Sequence, residues 1–346
     1  GYCDVAACQA TDTSSLFRIA SLSKPITAVA VLQLVDRSKL ELDRKVFEVL
    51  DYDSDIEAVE DFDQRLRDIT IRHLLEHRGG WDRDLSFDAM FQSVRFAEQA
   101  GLDAPANQAA VIKAMLSQKL DFDPGHRYAY SNFGYCLLGR VIEELTGQTY
   151  ENYVKQNVLA PIGISEMQIG ATRLAARADR EVRYYHPDAG KSVFANDLGD
   201  EVPSPYGAWN LEAMDSHGAW IASATDLARF AAAFEDPDNC PILSKNSIEL
   251  MYRRPPGLAG HDAEGIEKDR YYSLGWSNRV VGKGRVNHWH TGSLPGTATI
   301  LIRRHDGRNF VALLNCRVSP SEAHLGKAID RLLHEAADQV TDWPPM

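Results

Sequence analysis

The 346-residue sequence predicts an α+β fold, in which an antiparallel sheet is flanked by terminal helices and a second, mostly helical lobe is inserted into the chain. Three observations predict it: a very apolar helix near the N-terminus, helical periodicity through the middle, and strand patterns that cluster after about Pro255. Strands and helices are segregated along the chain and do not alternate, which is typical of this class.

The N-terminal helix is apolar at almost every position from 26 to 35, with no polar stripe, as expected for a helix that is buried on all sides. Pro25 lacks an N–H group and is tolerated only near a helix start, so the helix begins within the few residues before it. Ser21 therefore lies at or next to the helix N-terminus. Lys24 lies one turn further on the same face, within reach of the Ser21 hydroxyl.

The middle of the chain has helical spacing in several segments, namely residues 69–77, 130–146, 150–158 and 224–234. Gly147 is the expected C-cap of the second segment, and Thr225 or Asp226 the expected N-cap of the last. Residues 178–210 are rich in Pro, Gly, Asp and Tyr, and predict ordered loops of the kind that wall binding sites.

The C-terminal part predicts strands at residues 271–281, 285–290, 297–303 and 309–315, with a hairpin turn at residues 305–308, and an amphipathic helix at residues 321–340. We therefore expect two lobes. Residues 1–45 and 240–346 form an α/β lobe with the sheet, and residues 46–239 form the helical lobe.

Composition excludes several classes of function. A net charge of −12, from 37 basic and 49 acidic residues, argues against a nucleic-acid binder, and no apolar run is long enough to span a membrane. The five cysteines are scattered, odd in number and lack metal-ligand spacing, so neither a disulfide framework nor a zinc ribbon is indicated. No cofactor or metal is expected. No signal peptide is visible, and a periplasmic or extracellular location is expected only if one preceded the present N-terminus.

Three short motifs carry reactive side chains. Ser21 and Lys24 form a Ser-x-x-Lys motif, which a chain of this length should contain about once by chance. Tyr130-Ser-Asn132 follows a Pro-Gly turn and opens a predicted helix, so it presents a phenol and an amide toward a cleft. His290-Thr-Gly292 lies at the end of a predicted strand and is followed by Ser293.

Together, and in this order, these motifs resemble the Ser-x-x-Lys, Tyr-x-Asn and Lys-or-His-Thr-Gly motifs of the penicillin-recognising serine hydrolases. The tyrosine resembles that of the branch containing class C β-lactamases, family VIII esterases and D-Ala-D-Ala carboxypeptidases. Further segments look like family landmarks: residues 17–25, 71–80, 130–139, 146–150, 161–163, 223–230 and 274–276. The resemblance implies a β-lactamase/transpeptidase-like fold.

The resemblance also implies roles for the motif residues. Ser21 would attack a carbonyl, and Lys24 and Tyr130 would share its proton and return it to the leaving group. Asn132 would bind a substrate amide or steady Lys24, and the backbone N–H groups of Ser21 and Ser293 would form an oxyanion hole. A phenol beside an ammonium is expected to have a lowered pKa.

The sequence departs from the family pattern in two places. His290 stands where β-lactamases usually carry lysine, and a mostly neutral histidine is a weaker anchor for a carboxylate. Thr291, Gly292 and Ser293 complete the expected substrate-binding strand. We therefore expect a small-molecule ester, amide or peptide as substrate, with a true β-lactamase or D-Ala-D-Ala carboxypeptidase as the alternative. The helix and two strands that usually precede the region matching Gly1 are not found, so we expect either that this sequence starts late or that the sheet is short and has an exposed edge.

Other functions are less well supported. His73 and His77 are four residues apart, and His288 and His290 share one strand face, which are spacings that metal ligands use, but there is no His-Glu-x-x-His motif. No Gly-x-Ser-x-Gly elbow of an α/β-hydrolase occurs. A catalytically silent binding relative is disfavoured because the motif residues are intact. The aromatic residues Tyr184, Tyr185, Tyr206 and Trp209 predict a packed loop in preference to an acyl pocket.

Overall fold

The computed structural model describes residues 1–319, 321 and 323–342. Its helices are α1 (Ser23–Asp36), α2 (Asp53–Glu57), α3 (Ile71–Leu75), α4 (Ser93–Ala100), α5 (Gln108–Leu116), α6 (Asn132–Thr146), α7 (Tyr150–Val154), α8 (Ala224–Ala232), α9 (Lys245–Tyr252) and α10 (Leu325–Gln339). A 3-10 turn, Ala20–Leu22, leads directly into α1.

The strands are β1 (Tyr2–Asp4), β2 (Gln9–Ala10), β3 (Phe17–Arg18), β4 (Gln168–Ile169), β5 (Ala189–Lys191), β6 (Glu201–Pro203), β7 (Trp220–Ala222), β8 (Arg270–Tyr272), β9 (Ser277–Val280), β10 (Val286–Leu294), β11 (Thr297–Arg303) and β12 (Asn309–Leu314). The last five form an antiparallel sheet in the order β12-β11-β10-β9-β8. Helices α8 and α10 pack against this sheet. The predicted α+β class is confirmed, whereas the lobe boundaries stay a prediction.

Helix α1 is the buried centre of the fold, as predicted. Its residues from Ser23 to Leu34 are all buried, and it packs against α6, α7 and α9. Burying each large aliphatic side chain contributes about 1.5–3 kcal/mol, so the position and rotation of α1 are strongly determined. The direction in which Lys24 points is set by the same packing.

Two strand predictions need correction. The strand predicted at residues 271–281 is wrong, because Gly275 turns the chain at φ +85° and separates β8 from β9. A Cβ on Gly275 would lie 2.6 Å from the Ala28 Cβ, so the turn is pressed against α1. Strand β10 extends to Leu294, so the His-Thr-Gly motif lies inside it and not at its end.

The other end of the sheet follows the predictions more closely. The hairpin between β11 and β12 is confirmed, with Gly307 at φ +80°. The predicted last helix starts later than expected, at Leu325; Pro320 and Glu322 lie outside the described residues. Within the described part of the chain, no helix combines the length and the apolar character needed to cross a bilayer.

Candidate active site

Ser21 and Lys24 meet at the start of α1. Ala20 adopts φ +48°, an uncommon conformation for a residue with a side chain, and it places Ser21 on a tight turn where it remains partly exposed. The amine of Lys24 lies 3.1 Å from the Ser21 hydroxyl oxygen. Because Lys24 itself is completely buried, it is not the solvated lysine of an ordinary helix cap.

The other contacts of Lys24 are compatible with a neutral amine. Its Nζ lies 2.8 Å from the Asn132 side-chain oxygen and 2.9 Å from the His217 carbonyl oxygen. Both are acceptors, so a neutral amine can donate its two hydrogens to them and keep its lone pair for the Ser21 hydroxyl. Burial lowers the Lys24 pKa well below its usual value, against the charge of Asp88, which raises it. A neutral amine at this distance can accept the Ser21 proton.

Tyr130 lies on the other side of this amine, with the centre of its ring 4.8 Å from the Lys24 Nζ. Burial raises the Tyr130 pKa above its usual range, although a hydrogen bond with Ser21 acts in the opposite direction. The expectation of a lowered phenol pKa is therefore wrong. Burial outweighs the favourable contacts, and the neighbouring Lys24 is itself driven toward its uncharged form. The Tyr130 phenol is therefore protonated at neutral pH.

Asn132 connects Lys24 to an acidic residue that sequence reasoning missed. Its amide nitrogen donates a 2.6 Å hydrogen bond to Asp88, which turns the amide oxygen toward Lys24. Asp88 also caps a short 3-10 helix by accepting from the Met90 N–H. An aspartate at a helix N-cap was the only sequence signal for Asp88, and it indicates a structural role.

The third motif runs beside the Ser21 turn. Beyond Trp289, strand β10 pairs with β11 but no longer with β9, and the Ala20–Leu22 turn packs against this part of the strand. A Cβ on Gly292 would lie 2.1 Å from the Ile19 carbonyl oxygen, so only glycine permits this approach. Thr291 is partly exposed and Ser293 exposed, on the segment nearest Ser21.

His290 is buried, and both of its ring nitrogens are engaged. Nδ1 lies 2.7 Å from the Thr291 carbonyl oxygen, which can only accept, so Nδ1 carries the proton. Nε2 therefore accepts from the Tyr272 hydroxyl at 2.9 Å. Burial lowers the His290 pKa to about 3. His290 is neutral at physiological pH and presents no cation to a substrate.

The histidines considered as metal ligands have other partners. His77, at φ +55°, accepts from the Ser131 N–H at 3.2 Å, and its ring lies 4.2 Å from that of Tyr130. His73 accepts from the Thr70 N–H in a capping box. His288 lies 2.7 Å from Asn278. Across residues 1–319, 321 and 323–342, no group of three or more His, Cys, Asp or Glu side chains could hold a metal ion.

A buried arginine organises the loops beside Ser21. Arg18 donates to the carbonyl oxygens of Pro205, Ala171 and Thr172 at 2.6, 2.8 and 3.1 Å. The rings of Tyr184 and Tyr206 lie 4.5 and 5.5 Å from its guanidinium. These two aromatics pack against Arg18, as the packed-loop interpretation predicts.

Comparison with known proteins agrees with this geometry. A family model described as Beta-lactamase matches residues 1–335. Penicillin-binding protein 4* of Bacillus subtilis is 28% identical over 351 residues, covering 99% of this chain and 70% of that protein. Esterase EstB of Burkholderia gladioli is 33% identical over 199 residues, covering 56% of this chain and 47% of the esterase.

Among solved structures, the D-amino acid amidase from Ochrobactrum anthropi SV3 superimposes with a TM-score of 0.70 at 21% identity, covering 98% of this chain and 88% of the amidase. At this identity the likeness shows the fold alone, and it confirms the predicted β-lactamase/transpeptidase-like architecture.

Proposed function

The chain belongs to the beta-lactamase family of penicillin-recognising serine hydrolases, and we propose that Ser21 is the nucleophile with which it cleaves an ester or small amide through an acyl-enzyme. The observation that carries this assignment is the 3.1 Å contact between Ser21 and a completely buried Lys24. A serine is a weak nucleophile until a neighbouring base removes its proton, and a neutral amine at hydrogen-bond distance supplies that base.

Acylation begins when the Ser21 hydroxyl proton moves to the Lys24 lone pair and the oxygen attacks the substrate carbonyl. The backbone N–H groups of Ser21 and Ser293 bind the oxyanion that forms, a contribution of about 3 kcal/mol for a single donor in comparable sites. Tyr130 protonates the leaving group and recovers a proton from the Lys24 ammonium. Water then releases the acyl group with the proton transfers reversed.

Because His290 is neutral and both of its ring nitrogens are hydrogen-bonded, the site favours a substrate that needs no carboxylate anchor at that position. A neutral ring with both nitrogens engaged cannot act as the lysine of a β-lactamase does. The esterase relative supports ester hydrolysis, and the penicillin-binding relative supports the alternative, a true β-lactamase or D-Ala-D-Ala carboxypeptidase.

Intact-protein mass spectrometry tests the nucleophile. Wild type, Ser21→Ala and Ser23→Ala are each exposed briefly to a nitrophenyl butanoate and, separately, to a penicillin. Ser23 belongs to the same motif but donates to the Ala20 carbonyl oxygen, so Ser23→Ala is the matched control. We expect an acyl adduct in wild type and Ser23→Ala only.

Two outcomes decide between the substrate classes. A butanoyl adduct that clears while a penicilloyl adduct persists supports an esterase, and rapid clearance of both supports the β-lactamase. An adduct that survives in Ser21→Ala, or no adduct and no released nitrophenol in wild type, would overturn the proposed mechanism.

A further inference from the structure

Arg83 is a cation at the mouth of the candidate active site that no proposed step uses. Its side chain is 44% exposed, and its guanidinium lies 4.7 Å from the centre of the Tyr130 ring. It lines one narrow cavity together with Asp88, Tyr130 and Asn132. A guanidinium stacked on the proton donor of a hydrolase is placed to touch the substrate.

The hydrogen-bond donors of Arg83 are not consumed by the protein. It forms a long ion pair with Asp88, whose oxygen is 3.8 Å away and so beyond hydrogen-bond distance, and its guanidinium donates no hydrogen bond to any described residue. That Asp88 oxygen already accepts from Asn132 at 2.6 Å. Asp82, on the same loop, pairs with Arg127 at 2.8 Å. Asp84 is exposed to solvent, which screens its charge.

Neither Lys24 nor His290 has a free hydrogen-bond donor to offer a substrate. Lys24 donates to Asn132 and His217 and faces Ser21, while His290 has both nitrogens engaged. The charge of Arg83 also acts on the site residues. It helps to lower the pKa of Lys24, and it opposes the rise in the pKa of Tyr130.

We infer that Arg83 binds a carboxylate on the leaving-group side of the substrate, in place of the anchor that His290 does not provide. This rests on the proposed function, in which Tyr130 protonates the leaving group, so a guanidinium on the Tyr130 ring lies beside that group. The planar fork of arginine matches both oxygens of a carboxylate. The preferred substrates are therefore esters or amides whose leaving group is anionic.

The test compares two chromogenic esters of the same acid, nitrophenyl butanoate and carboxy-nitrophenyl butanoate, which differ by one carboxylate on the leaving group. In Arg83→Gln, the ratio of kcat/KM for the carboxylated over the plain ester should fall by about tenfold or more, the usual effect of losing a charge-assisted hydrogen bond, mainly through KM. Arg83→Lys keeps the charge but loses the fork, and should give an intermediate ratio.

Arg67→Gln is the matched control. Arg67 is 43% exposed, donates a hydrogen bond to Asp53 at 3.4 Å and lies 5.6 Å from the Phe62 ring, so it is another exposed arginine beside an aromatic ring, away from the motif residues. Its ratio should equal that of wild type. Because each ratio is measured within one variant, it does not depend on the fraction of folded protein.

The outcomes separate this inference from the proposed function. An Arg83→Gln ratio within about twofold of wild type, with the plain ester still cleaved, would overturn the role of Arg83 and leave the hydrolase intact. Failure of wild type to cleave either ester would overturn both. In wild type, added salt should raise KM for the carboxylated ester alone, and an equal effect on both esters would also contradict the inference.

Discussion

Asp88 accepts a 2.6 Å hydrogen bond from the amide nitrogen of Asn132, and this contact decides which end of the amide meets Lys24. A carboxylate can only accept, so it selects the NH₂ group and leaves the amide oxygen for the lysine amine. Asp88 therefore acts on Lys24 in two ways, by orienting Asn132 and by its negative charge, which raises the Lys24 pKa.

Removing the charge of Asp88 should shift the pH profile of kcat/KM. In the proposed mechanism Lys24 is active as a neutral amine, so the rate should rise as pH increases through its pKa. Replacing Asp88 with Asn removes the charge that raises this pKa, and the acidic limb of kcat/KM should move to lower pH. Arg83→Gln removes a charge that lowers the Lys24 pKa and should move the limb to higher pH.

Opposite shifts in these two variants would identify Lys24 as the titrating base. Asp84→Asn, on the same exposed loop, is the control for a general change of surface charge. Shifts in the same direction, or none, would mean that another group sets the limb. The profiles are measured as kcat/KM for a neutral nitrophenyl ester.

Tyr130→Phe should discriminate between leaving groups. Burial keeps the phenol protonated, and in the proposed mechanism Tyr130 acts as an acid. An alkoxide leaving group needs that proton, whereas a nitrophenolate leaves without it. We expect kcat for an ethyl ester to fall by about a hundredfold or more, and kcat for the nitrophenyl ester of the same acid to fall much less.

The control for this substitution is Tyr128→Phe. Tyr128 lies next to the same cluster, with its ring 5.8 Å from Tyr272, and burial raises its pKa to about 12. It has no role in the proposed mechanism, so both esters should be cleaved as in wild type. An equal loss on both esters in Tyr130→Phe would argue that Tyr130 positions the substrate and is not the acid.

Local patterns in the sequence were sufficient to predict the Ser21–Lys24 pair. The apolar run and Pro25 define α1, and the helix brings the two side chains together over three residues. The hairpin turn at residues 305–308 was also predicted from adjacent residues alone. The N-cap of α8 was predicted wrongly. Thr225 or Asp226 was expected, but Ser223 is the N-cap and Asp226 is its partner in a capping box.

Long-range contacts could not be predicted. Asp88 and Asn132 are 44 residues apart, His77 and Ser131 are 54 apart, and Arg18 meets Pro205 across 187. The direction of the Tyr130 pKa shift depends on how completely the phenol is buried, and a sequence does not contain that quantity. Of the expected site residues, the structure brings Ser21, Lys24, Tyr130 and Asn132 together, while their catalytic roles stay a prediction.

Gly292→Ala should damage both stability and activity. The added Cβ would lie 2.1 Å from the Ile19 carbonyl oxygen and 2.3 Å from the Thr299 hydroxyl, so β10 must move away from the Ser21 turn. Overpacking of this kind costs about 1–3 kcal/mol. We expect a lower denaturation midpoint and a fall in kcat, since the displaced strand carries the Ser293 N–H.

Gly134→Ala, on helix α6, is the matched glycine control. Its new Cβ would make only ordinary contacts, the nearest at 3.5 Å from Leu74, so stability should be kept. Urea unfolding and steady-state kinetics measure both quantities. If Gly292→Ala were as stable and active as Gly134→Ala, the close approach of β10 to the Ser21 turn would be disproved.

His290 should make the protein less stable in acid. Its pKa is about 3 in the folded protein, against 6.5 as the reference value, so between these pH values the unfolded chain binds a proton that the folded protein does not. The free energy of unfolding must then fall as pH decreases below about 6.5, and the contribution is complete only above that pH. His77 and His217, whose pKa values are also lowered by burial, act in the same direction.

His290→Gln removes one of these titrations, so the slope of unfolding free energy against pH should become shallower by up to about 1.4 kcal/mol per pH unit within this window. Tyr272→Phe is the control, because it removes the hydrogen bond to His290 but keeps the histidine. It should lower stability at every pH while the slope persists. Urea denaturation across the window measures both quantities, and an unchanged slope in His290→Gln would mean that His290 is not held neutral in the folded protein.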